Sequence, residues 1–69
     1  MEAENPREWL RLLRERLGLT GEQLAGRLGI SRQTIHRWES GAVPSLGHAT
    51  QLAAMANTTV DEVAQIFGC

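Results

Sequence analysis

The chain has 69 residues, of which 42% are hydrophobic and 22% are charged, and its formal net charge is −1. This apolar content is too high for a disordered chain, and no run of roughly 18 apolar residues could span a membrane. The single cysteine, Cys69, excludes an internal disulfide framework. We expect one folded domain over residues 1–69, in the cytoplasm because the acidic N-terminus lacks the apolar segment of a secretion signal.

The charges are unevenly distributed along the chain. Arginines and glutamates balance over residues 1–19, whereas the stretch 20–48 has more arginines than acids and is weakly positive. Every basic residue is arginine, which suits bidentate hydrogen bonding to phosphate or guanine. The total charge is not that expected of a nucleic-acid binder, so the pattern of residues has to decide between functions.

Helix start and stop signals divide the chain into five predicted helices, and no alternating strand pattern competes with them. The first covers about 6–17: Asn5 and Glu8 form a capping box, and Gly18 is the stop. Its apolar face is expected to consist of Leu10, Leu13 and Leu17.

The second predicted helix covers about 21–28 and the third about 32–40. A capping box of Thr20 and Gln23 opens the second helix, and Ser31 caps the third. The apolar residues that the two helices turn inward are Leu24, Ala25, Leu28, Ile35 and Trp38.

The fourth predicted helix covers about 45–56 and the fifth about 60–67. The fifth opens with a capping box of Thr59 and Glu62. The apolar residues of the fourth are Leu46, Ala49, Leu52, Ala53 and Ala56. Because helices this short are unstable in isolation, they must pack together, and we predict a compact all-α bundle.

The second and third helices meet across a short turn that contains Gly29. The small Ala25 permits a close approach, and Ile30 and Ile35 fill the angle between the helices. These are the requirements of a helix-turn-helix, which presents its second helix to the major groove. A helical wheel turns Trp38 inward with Ile35, and it places five polar residues on the exposed arc: Arg32, Gln33, His36, Arg37 and Ser40. Any solvated helix has such a face, but the preceding turn favours base recognition here.

From Leu10 to Val63 the sequence resembles the lambda-repressor-like, Cro/CI-type (XRE) helix-turn-helix family. The matching segments are Leu13-Arg14, Gly18-Leu19-Thr20, Leu24-Ala25, Leu28-Gly29-Ile30-Ser31, Thr34-Ile35, Trp38-Glu39, Gly41, Pro44-Ser45, Leu52-Ala53 and Asp61-Glu62-Val63. The resemblance implies a five-helix DNA-binding domain of a transcription regulator, typically a repressor. Its expected partners are a pseudo-palindromic operator in double-stranded DNA and a second copy of the chain.

The resemblance also implies roles for single residues, with 31–40 as the recognition helix. The base contacts that the resemblance implies are Arg32, Gln33 and Arg37, and the exposed arc of the helical wheel adds His36. The phosphate contacts that the resemblance implies are Thr20, Thr34 and the backbone at Ser40 and Gly41. Ser31, and Gly21 through its backbone N–H, are added as candidates. Arg14 and Glu39 match an ion pair that joins the first helix to the recognition helix. The family usually has glutamine where this chain has Gly21, and the loop Ala42-Val43-Pro44 lacks the usual cation. We therefore expect weaker binding with a shallower salt dependence.

The fifth helix has more apolar surface than a short tail needs. We expect half of it to seal the core and the remainder to form a dimer interface, with four candidate residues: Val60, Val63, Ile66 and Phe67. Trp9 is interpreted as an anchor of either the core or an interface. Cys69, a terminal thiol near this helix, is assigned no disulfide.

Other functions have little support in the sequence. Two histidines, His36 and His48, are too few for a zinc site, and no nucleophile elbow, phosphate loop or paired carboxylates suggest catalysis. No cofactor, small-molecule or membrane partner is expected. The alternative is an antitoxin-like or coactivator-like protein-interaction module with the same fold. The net charge and Gly21 slightly favour this alternative, whereas Arg32 and Arg37 favour DNA.

Overall fold

The computed structural model describes residues 3–68, and within them all regular secondary structure is helical. The helices are α1 (Pro6–Leu17), α2 (Gly21–Leu28), α3 (Arg32–Glu39), α4 (Leu46–Ala56) and α5 (Val60–Phe67). The predicted all-α bundle is confirmed. The bounds differ at two places, because Ser40 and Ser45 cap α3 and α4 instead of belonging to them. Cys69 lies outside the described residues.

Each helix begins after a polar side chain that accepts a hydrogen bond from a backbone N–H three residues on. These caps are Asn5, Thr20, Ser31, Ser45 and Thr59. Of the three predicted capping boxes, only that of Thr20 and Gln23 is complete. The Glu8 side chain returns no hydrogen bond, and the Glu62 carboxylate accepts one from the Thr58 hydroxyl instead. The other two boxes are therefore half formed.

Left-handed residues end four of the described helices, and the one after α2 directs the chain into α3. Gly29 adopts φ 69° and ψ 30°, a conformation that glycine reaches without a steric penalty. The Ile30 N–H then donates to the Ala25 carbonyl at 3.0 Å. This hydrogen bond closes the end of α2 and sets the angle at which α3 begins.

The core consists of the apolar faces of all five helices. Its buried members are Trp9, Leu10, Leu13, Leu24, Ala25, Leu28, Ile35, Trp38, Ala49, Leu52, Ala53, Ala56, Val63 and Phe67. The Phe67 ring makes edge contacts with Trp9 at 6.0 Å and Trp38 at 6.5 Å between ring centroids. Since Trp9 is 3% exposed, it anchors the core and is not available to a partner.

Two leucines at helix ends are exposed. Leu17 is 37% exposed, so its assignment to the buried face of the first helix is wrong, and Leu46, one of the apolar residues of the fourth helix, is 75% exposed. Leu17 is the last residue of α1 and Leu46 is the first residue of α4, where the helix ends extend past the core.

The predicted dimer surface on α5 is also smaller than the sequence suggests. Val63 and Phe67 are 1% and 3% exposed, so this structure leaves them almost no surface for a partner. Val60 and Ile66 are partly buried against the core and retain some accessible surface. The dimer interface stays a prediction, and of its four candidate residues only Val60 and Ile66 have surface left for a partner.

Residues 3–68 contain no helix that combines the length and the apolar character needed to cross a bilayer. Over the same residues, no three or more histidine, cysteine, aspartate or glutamate side chains are grouped as metal ligands would be.

Gly26 within α2 and Gly29 directly after it provide a matched test of backbone conformation. A Cβ atom at either Gly26 or Gly29 would meet no heavy atom within 4 Å, but only Gly29 has a positive φ. Gly26→Ala should raise the free energy of unfolding by about 0.5–1 kcal/mol, whereas Gly29→Ala should lower it by about 1–2 kcal/mol. Urea denaturation followed by tryptophan fluorescence measures both. Shifts in the same direction would contradict this explanation.

Candidate functional site

Helices α2 and α3 form a helix-turn-helix in which α3 packs against both α1 and α2. Ile35 and Trp38 of α3 are 3% and 4% exposed, and Ile30 in the turn packs against the same core. The opposite side of α3 faces solvent at five polar residues: Arg32, Gln33, His36, Arg37 and Ser40. The burial pattern agrees with the predicted wheel, so α3 presents hydrogen-bonding side chains on one accessible face.

The predicted phosphate contacts near the helix starts are placed where an anion is favoured. The Ser31 Oγ accepts a hydrogen bond from the Thr34 N–H at 3.2 Å and lies 3.1 Å from the Thr34 Oγ1. Thr20 caps α2 in the same way. Among the described residues, the N–H groups of Gly21 and Arg32 have no acceptor. Free N–H groups and the positive end of a helix dipole both attract anions.

Ser40 is a poorer candidate than the other four. Its hydroxyl donates to the His36 carbonyl at 3.1 Å, and its N–H donates to the carbonyls of His36 and Arg37. The Gly41 N–H is likewise bonded to Trp38. Ser40 also lies at the C-terminal end of α3, where the helix dipole repels a phosphate. A phosphate contact there would require these hydrogen bonds to break.

The predicted ion pair between Arg14 and Glu39 is not formed in this structure. The Glu39 carboxylate lies 3.2 Å from the His36 Nδ1 instead, while the Arg14 Nε is buried and has no hydrogen-bond partner. The Arg14 guanidinium lies at the start of α2, where a Cβ atom on Gly21 would be 3.5 Å from its Nη1. An unsatisfied buried donor costs about 1–3 kcal/mol, so Arg14 occupies an unfavourable position in the unbound domain.

An open cavity of about 760 Å³ separates α1 from α3 and reaches the start of α2. We call it the α1–α3 groove. The ionisable residues of its lining are Arg7, Glu8, Arg11, Arg14, Arg32, His36 and Glu39. Four arginines against two glutamates make it positive in a chain whose formal net charge is −1.

Arg7 and Arg11 were not identified as candidate site residues from the sequence. Together with Arg14 they recur at i, i+4 and i+7, the spacing of one helix face. This spacing could have indicated a basic helix face from the sequence alone. The count of charges over residues 1–19 did not show it, because the glutamates of the same stretch balance the arginines.

The comparisons with known proteins agree with this architecture. The chain belongs to the helix-turn-helix domain family, whose model matches residues 8–66. It is also 37% identical over 59 residues to a protein of Methanoculleus marisnigri, which carries the provisional name HTH-type transcriptional regulatory protein. The match covers 86% of this chain but only 19% of that relative. No solved structure gives a significant match.

The separation of Arg14 from Glu39 predicts weak energetic coupling. In a double-mutant cycle with Arg14→Gln and Glu39→Gln, the coupling energy should be below about 0.5 kcal/mol, because no ion pair is broken. Chemical denaturation of the four proteins measures it. A coupling of about 1.5 kcal/mol or more would show that the pair forms in solution.

Proposed function

We propose that this chain is a sequence-specific DNA-binding domain of a transcription regulator, in the manner of the Cro/CI-type (XRE) family it resembles. The observation that supports this most directly is the exposed face of α3, where arginine, glutamine and histidine lie opposite the buried Ile35 and Trp38. Arginine pairs with guanine O6 and N7, and glutamine pairs with adenine N6 and N7. Arg32, Gln33, His36 and Arg37 are accordingly the proposed base-contacting residues.

The low net charge is compatible with DNA binding because the charges are separated in space. The α1–α3 groove beside the recognition face is positive, whereas a second groove is lined by Glu4, Glu8 and Glu62. Binding depends on the local field over the contact surface more than on the total charge. The negative groove is lined by the N-terminal segment, α1 and α5 and contains no α3 residue.

The phosphate contacts proposed with this mode are Thr20, Gly21, Ser31 and Thr34. All four lie at the starts of α2 and α3, so each would hold the DNA backbone at the edge of the major groove that α3 enters. Such contacts fix the register of the protein on DNA but carry no sequence information.

We further propose that the chain acts as a repressor and binds DNA as a homodimer. One recognition helix reads only a few base pairs, too few to discriminate against a genome of competing sites. Two-fold symmetry places two such helices about 34 Å apart on successive turns of the major groove. Occupation of an operator that overlaps a promoter blocks polymerase sterically, so repression needs no further surface.

The second candidate function is an antitoxin-like or coactivator-like interaction module. The observation in its favour is the exposed apolar surface at Val43 and Leu46, which are 50% and 75% exposed. Val43 lies in the loop after α3, where the family that the chain resembles often has a cation, and Leu46 begins the next helix. Retention of duplex DNA by the wild-type chain distinguishes the two functions, since an interaction module needs no DNA affinity.

The base-contact assignment predicts a specific loss on mutation of α3. The preferred site is first selected from randomised duplex DNA and sequenced. Arg37→Ala should then weaken binding to that site by about 1–3 kcal/mol and relax the preference at one base pair. Arg27→Ala removes the same charge from the exposed end of α2 and serves as the control. Equal weakening on preferred and random DNA would assign Arg37 to a phosphate.

The dimer assignment predicts a change in mass on mutation of α5. Val60→Asp places a carboxylate at the first position of α5, where it suits the helix start but is costly to bury in an apolar interface. Sedimentation equilibrium at micromolar concentration should show a dimer for the wild type and a 7.6 kDa monomer for the variant. Gln65→Asp, at an exposed position of α5, is the control. A monomeric wild-type chain, both free and on DNA, would refute the proposal.

A further inference from the structure

We propose that the α1–α3 groove is a second DNA contact surface, in which an arginine stripe on α1 binds backbone phosphates. The stripe consists of Arg7, Arg11 and Arg14. This inference rests on the proposed DNA-binding function and extends the contact surface beyond the helix-turn-helix to the first helix.

The three arginines share one helix face and line one cavity. Arg7 is exposed and makes no hydrogen bond or ion pair within residues 3–68. Arg11 contacts only Glu15, at 3.2 Å, and both side chains are more than half exposed, so this pair is weak and exchangeable. The Arg14 Nε has no partner at all. Arg7 and Arg11 therefore have accessible donors, whereas Arg14 has an unpartnered donor that is buried at the inner end of the groove and reaches a ligand only if its side chain shifts.

The groove adjoins the proposed base-reading face directly. Its opposite wall is formed by residues that include Arg32 and His36 of α3, which also belong to the exposed recognition face. A duplex seated on α3 therefore brings one strand of its backbone over the groove. The lining contains four arginines and two glutamates, Glu8 and Glu39, so the arginines are in excess.

Gly21 shapes the inner end of the groove. It has no side chain to fill the space, the Arg14 guanidinium lies beside it, and its N–H has no acceptor among the described residues. A phosphate at this point could accept from both Arg14 and the backbone. Arg14 would thereby supply, through the Nη1 beside Gly21, the contact that a side chain at position 21 cannot make.

The shape of the groove fits a polymer backbone better than a single free anion. The cavity of about 760 Å³ is open to solvent along one side, and its arginines extend along nearly two turns of α1. A single phosphate ion would contact only one end of this stripe. Successive phosphates of one strand can engage several members at once.

The salt dependence of DNA binding tests this assignment. Each lost phosphate contact should reduce the slope of log K against log salt concentration by about 0.9. We expect Arg7→Gln and Arg14→Gln each to lower this slope by about one and to weaken binding several-fold on preferred and random duplexes alike. Arg27→Gln, which removes a charge outside the groove, should leave the slope unchanged.

Two further measurements separate the possible outcomes. Arg14→Lys keeps the positive charge and should retain most of the slope. Thermal unfolding checks that each variant is folded. Because Arg7 is exposed, Arg7→Gln tests the proposal even if Arg14→Gln unfolds. Slopes that fall no more for Arg7→Gln than for Arg27→Gln would overturn the groove assignment while leaving DNA binding intact. A wild-type chain that retains no duplex would overturn both proposals.

A titration with inorganic phosphate tests whether the groove binds a small anion in the absence of DNA. In a nuclear magnetic resonance titration at constant ionic strength, the Arg14 Nε–H signal should show no saturable shift with phosphate but should shift with duplex DNA. Saturation by phosphate alone would make the groove a small-anion site and overturn the backbone assignment.

Discussion

Helix α3 has eight residues and is too short to be stable by itself, so its position depends on the burial of Ile35 and Trp38. These two side chains fix both the depth and the rotation of the helix against α1 and α2. Because they point inward, the polar residues between them must point outward. The caps and the left-handed turn before α3 determine where the helix begins, but its packing determines which residues a ligand can reach.

The inner end of the α1–α3 groove is shaped by the absence of a side chain at Gly21. Gly21 leaves room at the start of α2, and the Arg14 guanidinium occupies the adjacent space while Glu39 contacts His36. Arg14 of α1 therefore forms no ion pair with Glu39 of α3, and its Nε has no hydrogen-bond acceptor. The groove is positive although the chain as a whole is not, which shows why the total charge is a poor guide to the surface of so small a domain.

The helices and most of the core could be predicted because their signals are local. Thr20, Ser31 and Gly29 encode helix starts and stops within a few residues, and the bounds of α3 and α4 were off by one residue. The exposure of Leu46 could not be predicted, since it depends on how far α4 extends past its neighbours. Nor could the direction of the Arg14 side chain, because a long flexible side chain chooses among partners that only tertiary packing brings together.

The contact of Trp9 with Phe67 has a consequence for how the domain assembles. Two of the four main helix pairs, α2 with α3 and α4 with α5, are neighbours in sequence, and local contacts of this kind form quickly. The aromatic contact instead joins the first helix to the last, and Phe67 also touches Trp38. The core is therefore incomplete until both ends of the bundle have met. We expect an all-or-none unfolding transition, in which α3 is lost together with α5 and does not persist as a separately folded unit.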